Sequence, residues 1–590
     1  MRILVGSQTG TAMGFAHELQ HEAADHNIEA DVVDMNDYDV KDLEDRKKQF
    51  LVFVTACYGA GQPTDNAKKL FNYIMSQQPS ADSPFTCVNY SVFGLGKSVT
   101  YSDRYQAVGR ALDSKLAQLG ANRVFKKGEG DDDGNIEEDF TKWKEEFWQT
   151  VSLNPNPSEK PASEAREPKK SSVIILENPV TEDEQQLISK AKGTMKNPAF
   201  IPIAEHKELH TKISPKSCKH IEFDITNTEL SFQTGDHLGI WPSNDPAIVS
   251  QVAKKLGLDL NRGFKFQEGA APPFPVTPDL PVPCSVGTAL TRYCDINAIL
   301  KKPILELCMQ YAQDCDERAH LASMCENTEQ GKGDFNDYIV NRQRTLLEVL
   351  NDFKSIQIPL DRFMEIMMRY PLQYRYYSIS ASSLLTPTRI SVTADVVQNV
   401  TQTGRIHQGT CTHYLSQLKP GDKVPIFVRT SEFRLPEDPA TPVILAGAGS
   451  GLAPLYAFVQ ERKFQRQQGL KVGRTLLFFG CYHQNKDFLY QEELEDLNKR
   501  GIIELSTAFS HDQPQRIFVQ HRMMEKAADI WRLLQSGAHV YVCGNAKTLG
   551  PGVHSTLCQI AAKEGNMTTL NAEGYIKSLR SSARYQDDVF

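Results

Sequence analysis

The chain has 590 residues, of which 40% are hydrophobic and 23% are charged, a composition typical of a globular protein with roughly three or four domains. Its net charge of −8 lies wholly in residues 1–150, where 16 Lys and Arg accompany 24 Asp and Glu. This distribution argues against nucleic acid as a partner and favours a basic protein surface, with an acidic soluble domain as the alternative. No apolar run reaches the ~20 residues of a membrane span, and no signal peptide precedes the first strand. The twelve cysteines lack CxxC spacing. We therefore expect a cytoplasmic monomer without membrane anchor, disulfides or metal.

The first 151 residues alternate short apolar strands with amphipathic helices. Strands are predicted at 3–5, 30–33, 50–55, 88–93 and 123–125, and helices at 12–25, 67–77 and 105–120. This alternation predicts a doubly wound parallel sheet, whose ligand site lies at the carboxyl ends of the strands.

The rest of the chain divides by composition. Residues 152–172 contain four prolines and almost no large apolar side chains, which predicts a flexible linker. Strand patterns in 173–244 and 371–438 flank a helical stretch at 245–370, so we predict a β-barrel with a helical insertion. Strand–helix alternation returns over 439–590 and predicts a second α/β domain.

Two kinds of loop in the first domain suggest a phosphate and a flat ring. Gly6–Ala12 offers hydroxyl and N–H donors at a helix start, which can hold a phosphate without a cation, although an ordinary capped helix also explains it. It lacks the Gly-Lys-Ser/Thr of a nucleoside triphosphatase loop. Tyr58 and Tyr101 follow two further strands and could sandwich an aromatic ring, with core tyrosines as the alternative.

An acidic segment closes this domain. Six carboxylates lie between Asp131 and Asp139, at the start of a predicted helix. Acidic side chains in a first helical turn suit the helix dipole, but six exceed what capping requires. We favour a docking surface for a basic electron acceptor.

Three more motifs occupy the last third of the chain. Arg375-Tyr-Tyr-Ser-Ile-Ser380 places a cation, a ring and a hydroxyl in consecutive positions, and Gly409-Thr-Cys-Thr412 opens a helix that can bind a second anion, although either alone could be ordinary structure. Gly447-Ala-Gly-Ser-Gly451 lies between a strand and a helix, the context of a dinucleotide loop.

Taken in order, these motifs resemble the diflavin reductase family, and within it the NADPH–cytochrome P450 reductases without their N-terminal anchor. The resemblance implies a flavodoxin-like FMN domain, a ferredoxin–NADP reductase-like FAD barrel with a helical connecting insertion, and an NADPH-binding domain. It also implies electron flow from NADPH through FAD and FMN to a protein with a basic docking face, such as cytochrome P450 or cytochrome c.

The resemblance assigns site residues by position. The FMN site comprises Ser7, Gln8, Thr9, Gly10, Thr11, Ala56, Tyr58, Gly59, Gly61, Gly96, Tyr101 and Asp131. The FAD site comprises Arg375, Tyr376, Tyr377, Ser378, Gly409, Thr410, Cys411, Thr412 and Phe590. The NADPH site comprises Gly449, Ser450, Gly451, Ser510, Arg516, Phe518 and Gln520. Hydride transfer is assigned to Ser378, Cys543, Asp588 and Phe590.

Some of these positions depart from the family pattern or have simpler explanations. His511 stands where an arginine is common and Phe518 where a tyrosine is usual, so we expect weaker discrimination against NADH than in relatives. Phe590 replaces a tryptophan. Without the resemblance, Cys543 is an inert core thiol and Phe590 a frayed chain end.

Two other functions fit the same residues. One is a soluble diflavin reductase for iron–sulfur assembly, methionine synthase reactivation or sulfite reduction, although the Asp131–Asp139 pattern favours the P450 type. The other is a non-catalytic flavin-binding scaffold or redox sensor, against which Arg375, Ser378, Cys543 and Asp588 argue.

Overall fold

The computed structural model divides into two units, residues 1–170 and 171–590. It describes residues 1–7, 10–23, 26, 28–44, 48–58, 61–80, 83–98, 104–133, 136–153, 171–180, 192–267, 280–326 and 328–589, apart from the side chains of residues 21, 44, 58, 152 and 153. Among the described helices, none has both the length and the apolar character that a membrane span needs.

A mainly parallel sheet organises the first unit. Its strands are β1 Arg2–Gly6, β2 Asp31–Asp34, β3 Gln49–Tyr58, β4 Gln62–Pro63, β5 Val88–Gly96, β6 Asn122–Arg123 and β7 Gly128–Asp131. Its helices are α1 Thr11–Ala23, α2 Lys41–Glu44, α3 Lys68–Ser76, α4 Ala107–Gln118 and α5 Ile136–Leu153, with a 3-10 turn at Pro84–Cys87. The strand order is β2-β1-β3-β5-β6, with β7 beside the end of β5 and the short β4 antiparallel to β3.

Helices cover both faces of this sheet. The apolar stripe of α5, Phe140, Trp143 and Phe147, is buried against α1 on one face, and Phe140 stacks on Phe15 with ring centroids 4.1 Å apart. Helices α3 and α4 cover the other face. The predicted doubly wound sheet is therefore confirmed.

The second unit contains an antiparallel barrel and a parallel sheet. Its strands are β8 Val173–Pro179, β9 Ala199–Glu208, β10 Cys218–Asp224, β11 His237–Ile240, β12 Arg262–Phe266, β13 Cys284–Ser285, β14 Arg375–Ser378, β15 Arg389–Asp395, β16 Gln398–Val400, β17 Ile406–Gln408, β18 Lys423–Arg429, β19 Val443–Ala448, β20 Thr475–Cys481, β21 Glu504–Phe509, β22 His539–Gly544 and β23 Tyr585–Val589.

The described helices of the second unit lie between the barrel strands and after them. They are Pro246–Leu256, Val286–Thr288, Lys302–Gln310, Cys315–Cys325, Glu329–Phe335, Leu346–Asp352, Leu360–Met367, Thr410–Gln417, Leu452–Gln467, Gln484–Asp487, Gln491–Lys499, Val519–Glu525, Ala527–Gln535, Leu549–Glu564 and Thr569–Ser581, with π-helical turns at Ala289–Tyr293 and Asn336–Val340 and a 3-10 turn at Gly449–Gly451.

The barrel is formed by six strands in the order β14-β11-β18-β9-β10-β15. An isolated bridge between Ile379 and Val392 joins the two ends of this sheet. The helical insertion enters between β11 and β14, as predicted. One detail differs: β8, expected in the barrel, pairs with β12 because Val173 packs into the core of the insertion.

The last sheet is wholly parallel, in the order β21-β20-β19-β22-β23. The chain builds outward from β19 in both directions, so the loop after β19 lies at the point where the strand order reverses. Ligands of open parallel sheets bind at this point. The loop there is Gly449–Gly451, the predicted dinucleotide loop.

Candidate functional site

The predicted phosphate loop connects β1 to α1 in the first unit. Gly10 adopts a positive φ of 95°, which glycine tolerates, and its N–H donates to Ser7 Oγ at 3.0 Å. Thr11 then begins α1, so the loop sits at a helix N-terminus, where anions are favoured. Gln8 and Thr9 lie outside the described residues.

Asn66 anchors this loop, a role that the sequence analysis did not assign. Its Oδ1 accepts the Ser7 N–H at 3.1 Å and the Thr64 hydroxyl at 2.8 Å. Its Nδ2 donates to the Val5 carbonyl at 3.2 Å and to Asp34 Oδ2 at 2.9 Å. The Asn66 amide therefore links the ends of β1 and β2 to the loop between β4 and α3. The polar composition of that loop was the sequence signal that could have identified Asn66.

The two predicted ring-stacking loops are described only in part. Gly59, Tyr101 and the side chain of Tyr58 lie outside the described residues, so their roles stay predictions. Ala56 lies near the carboxyl end of β3, and Gly61 follows that strand with a φ of 83°. A Cβ on Gly61 would lie 2.9 Å from the Arg104 Cβ, so this turn leaves no room for a side chain.

Asp131 fixes the loop that precedes Tyr101. It pairs with Gly96 where β5 and β7 run side by side. Its carboxylate accepts the Ser98 N–H at 2.9 Å, the Ser98 hydroxyl and the Asp133 N–H at 3.1 Å. The geometry thus gives Asp131 a role in shaping the loop, and its predicted contact with FMN stays a prediction.

The acidic segment separates into structural and exposed carboxylates. Asp139 accepts the N–H of Asp131 at 2.9 Å and so stabilises the end of β7. By contrast, Asp132, Glu137 and Glu138 are exposed, and we call these three the acidic surface. Cations lie nearby, because Lys97 is 3.4 Å from Asp132 and Lys142 is 2.7 Å from Glu138.

In the second unit, the predicted FAD residues lie on the barrel edge strand β14. Arg375 donates to the Gln373 carbonyl at 2.9 Å. Tyr376 lies under the Arg429 guanidinium, 5.0 Å from the ring centre, whereas Tyr377 packs against the barrel core. Burial raises the pKa of Tyr377 well above its ordinary value, and Cys411 adds to the shift, so this hydroxyl stays protonated.

Gly409 precedes the helix Thr410–Gln417, as the second anion-binding motif predicted. The Thr412 hydroxyl accepts the Val397 N–H at 3.1 Å and holds the helix start. Thr410 Oγ1 accepts from Asn297 at 3.3 Å, so the insertion contacts this terminus. The sequence analysis did not find Asn297, because it lies far away in the chain.

The predicted nucleotide residues gather at the carboxyl edge of the parallel sheet. Gly449–Gly451 follows β19, Ser510 follows β21 and Cys543 lies near the end of β22. A Cβ on Gly451 would lie 2.2 Å from the Cys543 carbonyl oxygen, so only glycine allows the loop to approach this strand. The loop hydroxyl of Ser450 donates to Asp395 at 2.6 Å.

The segment predicted to hold the adenosine phosphate starts at Ser510. Its hydroxyl lies 2.8 Å from His511 Nδ1, and its N–H donates to the Cys481 carbonyl at 3.0 Å. Arg516 and Phe518 are exposed. The structure therefore leaves these two side chains accessible to a ligand.

Ser378, Cys543 and Asp588 come together although they lie far apart in the chain. Asp588 is the register partner of Cys543 across β22 and β23. The Ser378 hydroxyl donates to Asp588 Oδ2 at 2.6 Å. Phe590 lies outside the described residues.

His237 is the residue of this cluster that the sequence analysis missed. Its Nε2 lies 3.1 Å from Asp588 Oδ1, and it pairs with Ser378 between β11 and β14. The Gly-Asp-His sequence at the start of β11 carries no chemical signal by itself. Only the packing of β23 beside the barrel reveals this contact.

Cys543 and Asp588 differ in their state of ionisation. Burial raises the pKa of the Cys543 thiol well above its usual value, and Asp588 adds to the shift, so the thiol is neutral. Burial also opposes ionisation of Asp588, but His237 and Ser378 outweigh it and hold its pKa below the usual range. The site therefore holds a carboxylate beside a neutral thiol.

Comparison with known proteins identifies the family. The flavodoxin family model matches residues 3–143, the FAD binding domain model matches 192–414, and the oxidoreductase NAD-binding domain model matches 445–553. NADPH–cytochrome P450 reductase of Drosophila melanogaster is 37% identical to the chain, with all of this chain and 87% of the relative covered. The chain belongs to the NADPH–cytochrome P450 reductase family.

Other members of the family are similar to the same extent. The enzyme of Musca domestica is 37% identical and that of Homo sapiens 36%, each with all of this chain and 88% of the relative covered. The predicted fold class and oxidoreductase activity are confirmed, and the matched domains support FMN, FAD and NADPH as cofactors.

The described residues fit these groups. His237 Nδ1 is buried and has no hydrogen-bond partner among the described residues, as expected of a polar atom whose partner belongs to a bound group. Gly449 has a φ of 55°, and the glycine loop keeps backbone N–H groups clear of side chains at a strand end. These features suit a flavin and a pyrophosphate respectively.

Proposed function

We propose that this chain transfers electrons from NADPH through FAD and FMN to a cytochrome P450 or another heme protein such as cytochrome c. The observation that carries the proposal is the cluster of Ser378, Cys543 and Asp588 beside the loop Gly449–Gly451. Bound flavins accept a hydride from nicotinamide and pass electrons on singly.

Each member of the cluster has a distinct task. The Ser378 hydroxyl is a donor that orients Asp588 and can turn to a flavin atom. The Asp588 carboxylate favours the positive charge that a nicotinamide gains on losing a hydride. The neutral Cys543 thiol fills the space beside the carboxylate without adding charge. The remaining assigned cofactor residues, including Phe590, belong to the same proposal.

We infer the domain boundaries as an FMN domain at 1–151, a linker at 152–172, an FAD barrel at 173–244 and 371–438 without β8, an insertion at 245–370 and an NADPH domain at 439–590. The family-model matches and the sheets support this order. The pairing of β8 with β12 supports its assignment to the insertion.

The acidic surface supports a protein acceptor with a basic docking face. Exposed charges steer association and so favour a partner of opposite sign. All twelve cysteines lie in the described parts of the chain and none forms a disulfide, which accords with a reducing compartment such as the cytoplasm. A monomeric state is part of the proposal.

Anaerobic addition of NADPH to the flavin-loaded full chain tests the reaction. We expect the flavin absorbance to bleach, followed by rapid reduction of added cytochrome c or of a cytochrome P450. A spectrum that NADPH leaves unchanged would favour the scaffold or sensor alternative.

The acceptor needs a separate test. The full chain, immobilised and exposed to native lysate, should retain a heme protein that it then reduces with NADPH. Recovery of a reducible iron–sulfur protein and no cytochrome would support the alternative acceptor class.

A further inference from the structure

Three neighbouring barrel strands bring together a histidine, a cysteine and an aspartate. Cys218 begins β10 and pairs in register with Asp395, the last residue of β15. His210 lies two residues beyond β9, where that strand runs beside β10. One ligand atom from each of the three side chains lies within 4.8 Å of the other two.

The Glu208 side chain fixes the backbone at two members of this cluster. The Glu208 carboxylate accepts the N–H of His210 at 3.0 Å and the N–H of Cys218 at 2.9 Å. The imidazole Nδ1 of His210 lies 3.1 Å from the Lys216 carbonyl and 3.2 Å from Ser214 Oγ, so we assign Nε2 to the metal. Second contacts of this kind orient a metal-binding imidazole.

We propose that His210, Cys218 and Asp395 form a Zn²⁺ site. Imidazole nitrogen, thiolate sulfur and carboxylate oxygen are the three ligand types that zinc uses in proteins, and a three-residue set leaves a fourth position for water. A second cluster, Glu205, His220 and Glu222, lies nearby, but it has no thiol.

Zinc binds the thiolate form of cysteine, so the Cys218 thiol must lose its proton when the metal binds. Zn²⁺ forms a bond to sulfur as the S–H bond breaks, the proton passes to water, and no electron is transferred.

The cluster connects directly to the nucleotide loop. Asp395 Oδ2 accepts the hydroxyl of Ser450, which belongs to that loop, at 2.6 Å. A zinc ion on the Asp395 carboxylate draws on the same oxygen lone pairs and weakens this hydrogen bond. On the proposed function, zinc therefore acts as an inhibitor that lowers the affinity for NADPH.

Equilibrium dialysis of the chelator-treated, flavin-loaded full chain against Zn²⁺ alone tests the site. We expect one tightly bound ion per chain, with affinity rising with pH because a proton is released. H210Q and C218S, in different segments of the chain, should each weaken binding more than about tenfold, whereas H220Q in the second cluster should not. Absence of tight binding, or its loss in H220Q alone, would overturn the proposal.

Cobalt and kinetics separate the site from its effect. Co²⁺ in place of Zn²⁺ should give tetrahedral absorption at wavelengths beyond the flavin bands in the wild type and not in C218S. Zn²⁺ should raise the KM for NADPH up to about tenfold without changing kcat, and C218S should abolish the rise. An unchanged KM with zinc bound would refute inhibition, and a chain that binds zinc but never oxidises NADPH would refute only the proposed function.

Discussion

The side chains around Asp588 show how one ionised group can be kept in a partly buried site. His237 and Ser378 both contact its carboxylate, at 3.1 and 2.6 Å, and hold its pKa low against the effect of burial. Cys543 stays neutral beside it. The negative charge is thus confined to one residue at the carboxyl edge of the sheet.

D588N removes that charge and keeps the shape of the side chain. We expect the rate of flavin reduction by NADPH to fall about 10²-fold, because favourable charge at the nicotinamide is lost. Anaerobic single-turnover absorbance measurements check this. D587N is the matched control, since Asp587 is adjacent on β23 but pairs with Arg580 at 2.8 Å; equal losses in both variants would contradict the assignment.

We assign His237 the role of a positioning residue, whose effect should be seen in the pH dependence of flavin reduction by NADPH. Asp588 loses its negative charge as the pH falls through its lowered pKa. Activity that needs ionised Asp588 therefore declines on the acid side. H237A should raise the pKa of Asp588 and move this acid limb to higher pH. H237Q keeps a donor and should move it less; an acid limb unchanged in H237A would exclude the role.

Among the elements, the strand ends of the first unit depend on Asn66. A single amide bonds to the loop after β1, to β1 itself and to Asp34 at the end of β2. The phosphate loop is therefore held by tertiary contacts as well as by the start of α1.

N66A should leave the Ser7 N–H without its partner, which costs about 1–3 kcal/mol. We expect loss of FMN with FAD retained, measured as the ratio of the two flavins released on denaturation, and lower stability of the FMN domain in urea. N122A is the control, because the Asn122 side chain makes an exposed contact with Asn89 at 2.7 Å, away from the phosphate loop. Equal loss of both flavins in N66A would argue for general unfolding.

Across the whole molecule, charge and site chemistry lie in different parts of the sequence. Residues 1–150 carry the entire net charge of −8, and the exposed acidic surface lies there. The cluster of Ser378, Cys543 and Asp588, to which we assign hydride transfer, lies in the unit 171–590. Acceptor binding and nucleotide oxidation should therefore respond to different substitutions.

The triple variant D132N, E137Q and E138Q tests that separation. We expect the KM for cytochrome c to rise about tenfold at low salt and its salt dependence to weaken, because each exposed charge contributes up to about 1 kcal/mol. Flavin reduction by NADPH should be unchanged. Neutralising the exposed Glu492, Glu493 and Glu573 is the control, and an equal effect there would contradict a localised docking surface.

The sequence alone predicted the order of domains and the two parallel sheets, and it assigned the candidate site residues. Strand and helix periods, glycine loops and hydroxyl clusters are local patterns, so they can be read without the fold. The tertiary structure decided which distant residues meet: His237 with Asp588, Asn66 with the phosphate loop, and β8 with the insertion. Those contacts depend on strand order and register, which the free energy of packing sets across the whole chain and no local pattern encodes.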